Sequence, residues 1–233
     1  MKRQLLNRLK DSLTLMSDEA ERQYSIQELK ELYAPIKGQI DTRLGDFRLI
    51  WEKASDEELF TELVFCLLTP QSKAKTCWKA VQRLNEKCMI AKGEPCQIQE
   101  ELFGVRFNRR KAEYICSAKK TFSSRSLRTT LNEFDSPFEA REWLVENVLG
   151  LGYKEASHFL RNIGLGEDLA ILDRHILKNL TLLGVIKKVP SNLSRKTYLE
   201  IERKMTEFSK EAGIPMGKLD LLLWYKEAGK VFK

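Results

Sequence analysis

An all-α fold is what the sequence predicts, and three observations predict it. Apolar residues recur at helical spacing through most of the chain. Capping residues, prolines and glycines punctuate those stretches as helix starts and stops. No segment alternates apolar and polar residues as a half-buried strand would, and Ala170-Ile171-Leu172 is apolar but too short to set a sheet.

The elements follow in order. Leu5, Leu6, Leu9, Leu13 and Met16 have helical spacing across 2–16. Ser25 opens a short helix that Ala34-Pro35 closes, and an amphipathic segment follows from Ile36 to about Glu52. Ser55-Asp56-Glu57-Glu58 has the form of a capping box ahead of the apolar run Leu59 to Leu68. Thr69-Pro70 interrupts, and Ser72 stands where it would cap the next helix, Ala74 to Asn85. After a polar break from Lys92 to Pro95, two helices are expected, Ile98 to Phe103 and Arg109 to Phe122, around the loop Gly104 to Asn108. Ser136, with Pro137 one step later and Glu139 at the third position, marks a helix start. That helix runs through Trp143 and Val148 and stops at Gly150. Further helices are expected from Tyr153 to Gly164, Arg174 to Leu183, Ser194 to about Ala212 and Met216 to Ala228.

The chain has 233 residues, enough for one large domain or two small ones around a buried core. Hydrophobic residues at 42% and charged residues at 31% exclude the disordered and fibrous classes. Lys and Arg number 40 against 33 Asp and Glu, and the formal charge of +7 favours a polyanionic partner such as nucleic acid. No apolar run approaches the roughly 20 residues that span a bilayer, so no membrane association is expected. No long apolar stretch follows Met1-Lys2-Arg3, so the expected compartment is the cytoplasm.

The five cysteines are odd in number and widely spaced, unlike a disulfide framework. No C-x2-C pair is present, so zinc and iron–sulfur sites lack their usual ligand spacing. Cys66, Cys77 and Cys88 recur every 11 residues and are expected to be small buried apolar residues.

The stretch richest in chemistry runs from Asn147 to Leu160, two helices joined by Gly150-Leu151-Gly152. Both glycines are expected to permit positive φ and to leave backbone N–H groups unshielded. Exposed amides beside a helix N-terminus make a phosphate site that needs no base contacts, which is how a helix-hairpin-helix grips a DNA backbone. An ordinary helical hairpin with a glycine C-cap would use the same glycines.

Lys154 falls in the first turn of the second helix, where the dipole disfavours a cation and favours the nucleophilic free amine. The plain alternative is a surface lysine. Asp173, within Ile171-Leu172-Asp173-Arg174-His175, can cap the helix that begins at Arg174. A cap can use one carboxylate oxygen and aim the other at a site, where it would stabilise a developing sugar cation.

With these residues the chain resembles the helix-hairpin-helix superfamily of base excision DNA glycosylases. The superfamily motif is a Gly-x-Gly hairpin, a lysine two residues on, and a catalytic Asp about twenty residues later; here Lys154 and Asp173 are 19 apart. The resemblance is closest to the archaeal-type second family of 8-oxoguanine DNA glycosylase/AP lyases. It rests on Gly152 to Asn162, on Asp173-Arg174-His175-Ile176, and on the tail from Leu219-Asp220-Leu221-Leu222-Leu223-Trp224 through Gly229 to Lys233. It extends from about Ile36 to the end.

The resemblance implies two helical subdomains, with the active site in the cleft between them. The central one is expected over 52–165, with the helix-hairpin-helix at about 137–164. The other would combine 1–51 with 166–233. It also implies removal of 8-oxoguanine from double-stranded DNA by a bifunctional glycosylase/AP lyase. The nucleotide is flipped out, Lys154 attacks C1′, a Schiff base forms, and β-elimination nicks the strand. Asp173 would assist deprotonation of Lys154 and stabilise the sugar cation. This chemistry needs no metal or other cofactor. No protein partner is implied, a monomer is expected, and the substrate would place the protein on the nucleoid.

The resemblance also assigns base recognition to the C-terminal tail, where the Trp224 indole would stack on, or wall in, the purine. Lys233 would add either its ammonium, able to contact the 8-oxo oxygen, or the chain-end carboxylate, able to accept the N7 hydrogen peculiar to the oxidised base. His158, one helical turn after Lys154, would line the base pocket, whereas His175 is read as packing. Arg106 and Phe107 match the family's DNA-facing loop, the aromatic wedging into the stack and the arginine reading the orphaned base. Gln71 falls where relatives place another DNA-facing loop. Two alternatives stay open: a glycosylase/lyase for other oxidised bases, and a non-catalytic DNA-binding hairpin module, which would have no use for Lys154 with Asp173.

Overall fold

Why the helix Asp56–Leu68 (α3) lies at the centre of its unit follows from its sequence. The helix ends in the apolar run Leu63 to Leu68, and every residue from Glu62 to Leu68 is buried. A helix hydrophobic all round must be surrounded. In this computed structural model, which describes residues 26–231, α3 packs against α4 (Ala74–Glu86), α7 (Asn108–Thr121), α8 (Leu127–Leu131) and α10 (Tyr153–Asn162). Leu63, Phe65 and Leu67 meet Leu84, Ile115, Leu144, Phe159 and Leu160 in one continuous core.

The described residues divide into two compact units, one running Arg43–Ile171 and the other joining 26–42 to 172–231. The first holds most of α2 (Lys37–Lys53), α3, α4, α5 (Met89–Lys92), α6 (Pro95–Glu101), α7, α8, α9 (Pro137–Asn147) and α10. The second holds α1 (26–33), the start of α2, α11 (Arg174–Leu182), α12 (Arg195–Ala212) and α13 (Met216–Ala228). There, α13 packs on both α11 and α12, and Leu180, Tyr198, Met205, Phe208, Leu219 and Leu222 are buried. No strand occurs among the described residues.

Most helix starts are where their caps place them. Ser55 and Glu58 complete the capping box of α3, and Ser136 and Ser194 each accept the backbone N–H three residues on. The departures are local. α6 begins at Pro95 rather than Ile98, because Glu94 and Gln97 close a box around Pro95 at the first helical position. Phe103 consequently lies beyond the helix end, exposed beneath the Arg83 guanidinium. α5 and α8 were not anticipated. Ser72 does not cap α4; Lys73 is the N-cap and makes no side-chain cap bond. Cys66 and Cys77 are buried as expected, but Cys88 is exposed, because the chain turns there in a left-handed conformation (φ 53°) at the end of α4. The expected helix over 2–16, the Ser25 start and Lys233 lie outside the described residues.

Candidate functional site

The hairpin is built from α9 and α10. After α9 ends, Gly150 turns the chain at φ 89°, and a Cβ there would stand 2.2 Å from the Tyr114 ring. Both the dihedral and the contact require glycine. Gly152 differs from expectation: at φ −96°, ψ 178° its backbone is ordinary extended chain. A Cβ there would come within 3.1 Å of Glu155 Oε2, a contact that a small shift of that side chain relieves. As the N-cap of α10 it offers no side-chain acceptor to the first N–H groups of the helix. The two helices are braced where Tyr153 Oη donates to Glu142 Oε2 at 2.5 Å and Arg141 Nη1 to Ser157 Oγ at 3.2 Å.

Lys154 occupies the first turn of α10, as its spacing predicts. Its Nζ lies 3.2 Å from Glu155 Oε1, and both side chains are largely but not wholly covered, at 24% and 13% exposed. Glu155 was not singled out from the sequence, although an acidic residue in the first turn of a helix favours that end. His158 is buried at 7% exposure with its ring edge-on to Phe65, centroids 5.8 Å apart.

Two further loops of the same unit hold the other candidates. Gln71 and Phe107 are non-glycine residues at positive φ, 53° and 58°. Gln71, Arg106 and Phe107 are all exposed, and the Arg106 guanidinium lies 5.7 Å from the Phe107 ring centroid. Phe107 is also the N-cap of α7. One turn into α7, Lys111 is buried. Its Nζ donates to Leu68 O and Pro70 O at 2.7 Å each, and to Ser72 Oγ at 3.1 Å. Burial pulls its pKa down to about 8. The sequence does not single out Lys111, the last of the basic run Arg109-Arg110-Lys111. No local spacing marks it, since it follows the exposed Arg109 and Arg110 and stands four residues after the exposed Phe107.

In the second unit Asp173 is the N-cap of α11. Its Oδ1 accepts from the N–H groups of His175 and Ile176, both at 2.8 Å. Its Oδ2 accepts the indole N–H of half-buried Trp224 at 3.3 Å. The expected cap is therefore present, and the second oxygen has an indole partner that the sequence did not reveal. His175 stands edge-on to Trp224, centroids 6.2 Å apart, and its Nδ1 lies 3.5 Å from Glu227 Oε2. Glu227 also accepts from Lys178 and Asn179, each at 3.1 Å, and the Lys178 hydrogen bond holds its carboxyl below the usual range.

A glycine hairpin between helices, a lysine in the first turn beyond it and an Asp cap nineteen residues later define a helix-hairpin-helix protein. A family model described as 8-oxoguanine DNA glycosylase matches residues 40–214. The chain belongs to that family. Among its relatives, the 8-oxoguanine DNA glycosylase/AP lyase of Fusobacterium nucleatum subsp. nucleatum is 44% identical over 209 residues, covering 88% of this chain and 96% of its own. Of solved structures, the 8-oxoguanine DNA glycosylase of Thermotoga maritima superimposes with a TM-score of 0.82 at 36% identity, covering 91% of this chain and all of its own. The Methanocaldococcus jannaschii glycosylase/lyase, solved in complex with a 15mer DNA containing 8-oxoguanine, gives 0.80 at 37% identity, covering 89% and 99%.

Proposed function

We propose that this chain excises 8-oxoguanine from duplex DNA and then cleaves the strand at the resulting site. The observation that carries the reading is Lys154 at the first turn after the Gly150 hairpin, its amine held by Glu155 rather than extended into solvent. The hairpin's uncapped N–H groups take a phosphate. The Lys154 amine adds to C1′ of the flipped nucleotide as the glycosidic bond breaks, and the base departs with the bonding pair. A proton passes from the new C1′ ammonium to O4′ as the C1′–O4′ bond breaks, opening the sugar and giving a Schiff base. Removal of a C2′ proton then expels the 3′ phosphate by β-elimination. Asp173 supplies negative charge against the sugar cation, and its cap bonds and Trp224 fix the carboxylate's orientation.

Trp224, Lys233 and His158 are proposed to select the base. Gly150, Gly152, Arg106, Phe107 and Gln71 are proposed to engage the duplex, and the enzyme acts on the nucleoid in the cytoplasm. Among the described residues, no helix is long and apolar enough to cross a membrane.

Borohydride trapping tests the reading. Duplexes carrying 8-oxoguanine, thymine glycol or no lesion are incubated with the protein and reduced. A covalent adduct confined to 8-oxoguanine is expected, and it is lost in Lys154→Gln. An adduct on thymine glycol alone would replace 8-oxoguanine by an oxidised pyrimidine. DNA binding with no adduct on any duplex would leave a binding module.

A further inference from the structure

Two exposed loops with strained backbones share one buried anchor. Loop 69–72 carries Gln71 at φ 53°, and loop 103–107 carries Phe107 at φ 58°. Non-glycine residues persist in that region only where their surroundings over-determine them. For loop 69–72 the surroundings are Lys111, whose three N–H groups meet three acceptors: the carbonyls of Leu68 and Pro70 and the hydroxyl of Ser72. The same Ser72 hydroxyl accepts the backbone N–H of Arg106 at 3.0 Å, and that residue immediately precedes Phe107. Lys111 stands one turn along the helix that Phe107 caps. Both loops are thus fixed to a single ammonium and a single hydroxyl.

We propose that Lys111 and Ser72 form a latch coupling loop 69–72 to loop 103–107, so that Gln71, Arg106 and Phe107 meet DNA as one preorganised surface. Lys111 is a positioning residue and does not touch the reacting atoms. The part concerning DNA rests on the proposed glycosylase function; the coupling of the loops does not. Three acceptors suit an ammonium, whereas a neutral amine has two N–H groups to offer. The charged and titratable groups facing Lys111 are Cys77 and Glu155, which favour its charge, and Lys154 and Arg106, which oppose it.

Lys111→Met and Ser72→Ala in the full chain test the latch by two readouts. In amide hydrogen exchange, both variants are expected to speed exchange in both loops together, with α3 and α10 unchanged. In fluorescence titration, Lys111→Met is expected to weaken binding to an 8-oxoguanine duplex about tenfold, with a smaller loss in single-turnover excision at saturating enzyme. Wild-type affinity should decline as pH rises through about 8, and the Lys111→Met profile should be flat there. Faster exchange in loop 69–72 alone would overturn the coupling, as would a folded Ser72→Ala variant with wild-type exchange in both loops. If Lys111→Met does not fold, Ser72→Ala decides. Coupled loops in a protein that forms no borohydride adduct would sink the glycosylase reading and keep the latch.

Discussion

Gly150 accepts no side chain, for two separable reasons: its φ of 89° and the Tyr114 ring 2.2 Å from where a Cβ would be. Gly150→Ala is expected to lower unfolding free energy by about 2 kcal/mol or more in urea melts. Adding Tyr114→Ala should recover only part of that loss, because the dihedral remains. The Trp224 indole donates to Asp173 Oδ2, and Trp224→Phe keeps a ring while deleting the donor. Excision under single-turnover conditions should slow about tenfold, the size of one hydrogen bond to a charged group. An unchanged rate would leave the indole only a stacking surface.

Lys111 gives a pH signature. Its proton is held to about pH 8 in the folded protein and to 10.5 in the unfolded chain. Between those values the unfolded state binds more protons, so this group's contribution to stability rises with pH and is lost as pH falls through about 8. The difference in unfolding free energy between wild type and Lys111→Met should climb from pH 8 to 10. Local spacing made Lys154 and the Asp173 cap legible. Lys111 was not legible, because nothing within a basic run reveals which of its members turns inward.

Helices with a strong cap and a sustained period were readable; short ones were not. The box at Ser55 and Glu58 is a sequence pattern that the backbone reproduces, and Ser55→Ala should cost about 1 kcal/mol in thermal or urea unfolding. α5 and α8 have four and five residues, too few to display a period of 3.6. Ser72 shows the limit of capping rules. A serine just before a helix reads as a cap, yet this one is taken by partners 34 and 39 residues away in sequence. Nothing local marks such a partner, and the two glycines of the hairpin teach the same lesson. Only Gly150 has a dihedral and a contact that demand glycine, a difference their shared motif conceals.

For the whole chain, the formal charge of +7 fits a polyanionic ligand. Affinity for undamaged duplex should fall linearly in log–log plots against salt, and Arg106→Ala should reduce that slope by about one if its guanidinium meets a phosphate. An unchanged slope with lost lesion preference would assign Arg106 to a base. Family membership was legible because the hairpin, the lysine and the Asp cap lie within 24 consecutive residues, 150–173. The indole bond to Asp173 and the Ser72 bridge join residues 51 and 34 apart, and only folding reveals them.

The helix from Asn108 to Thr121 carries three attachments: Phe107 at its cap, Lys111 one turn in, and Tyr114 under the Gly150 turn. A small roll of that one rod would move Phe107, loop 69–72 and the Gly150 turn in the same stroke. A substitution that shifts any one of the three should therefore disturb the other two.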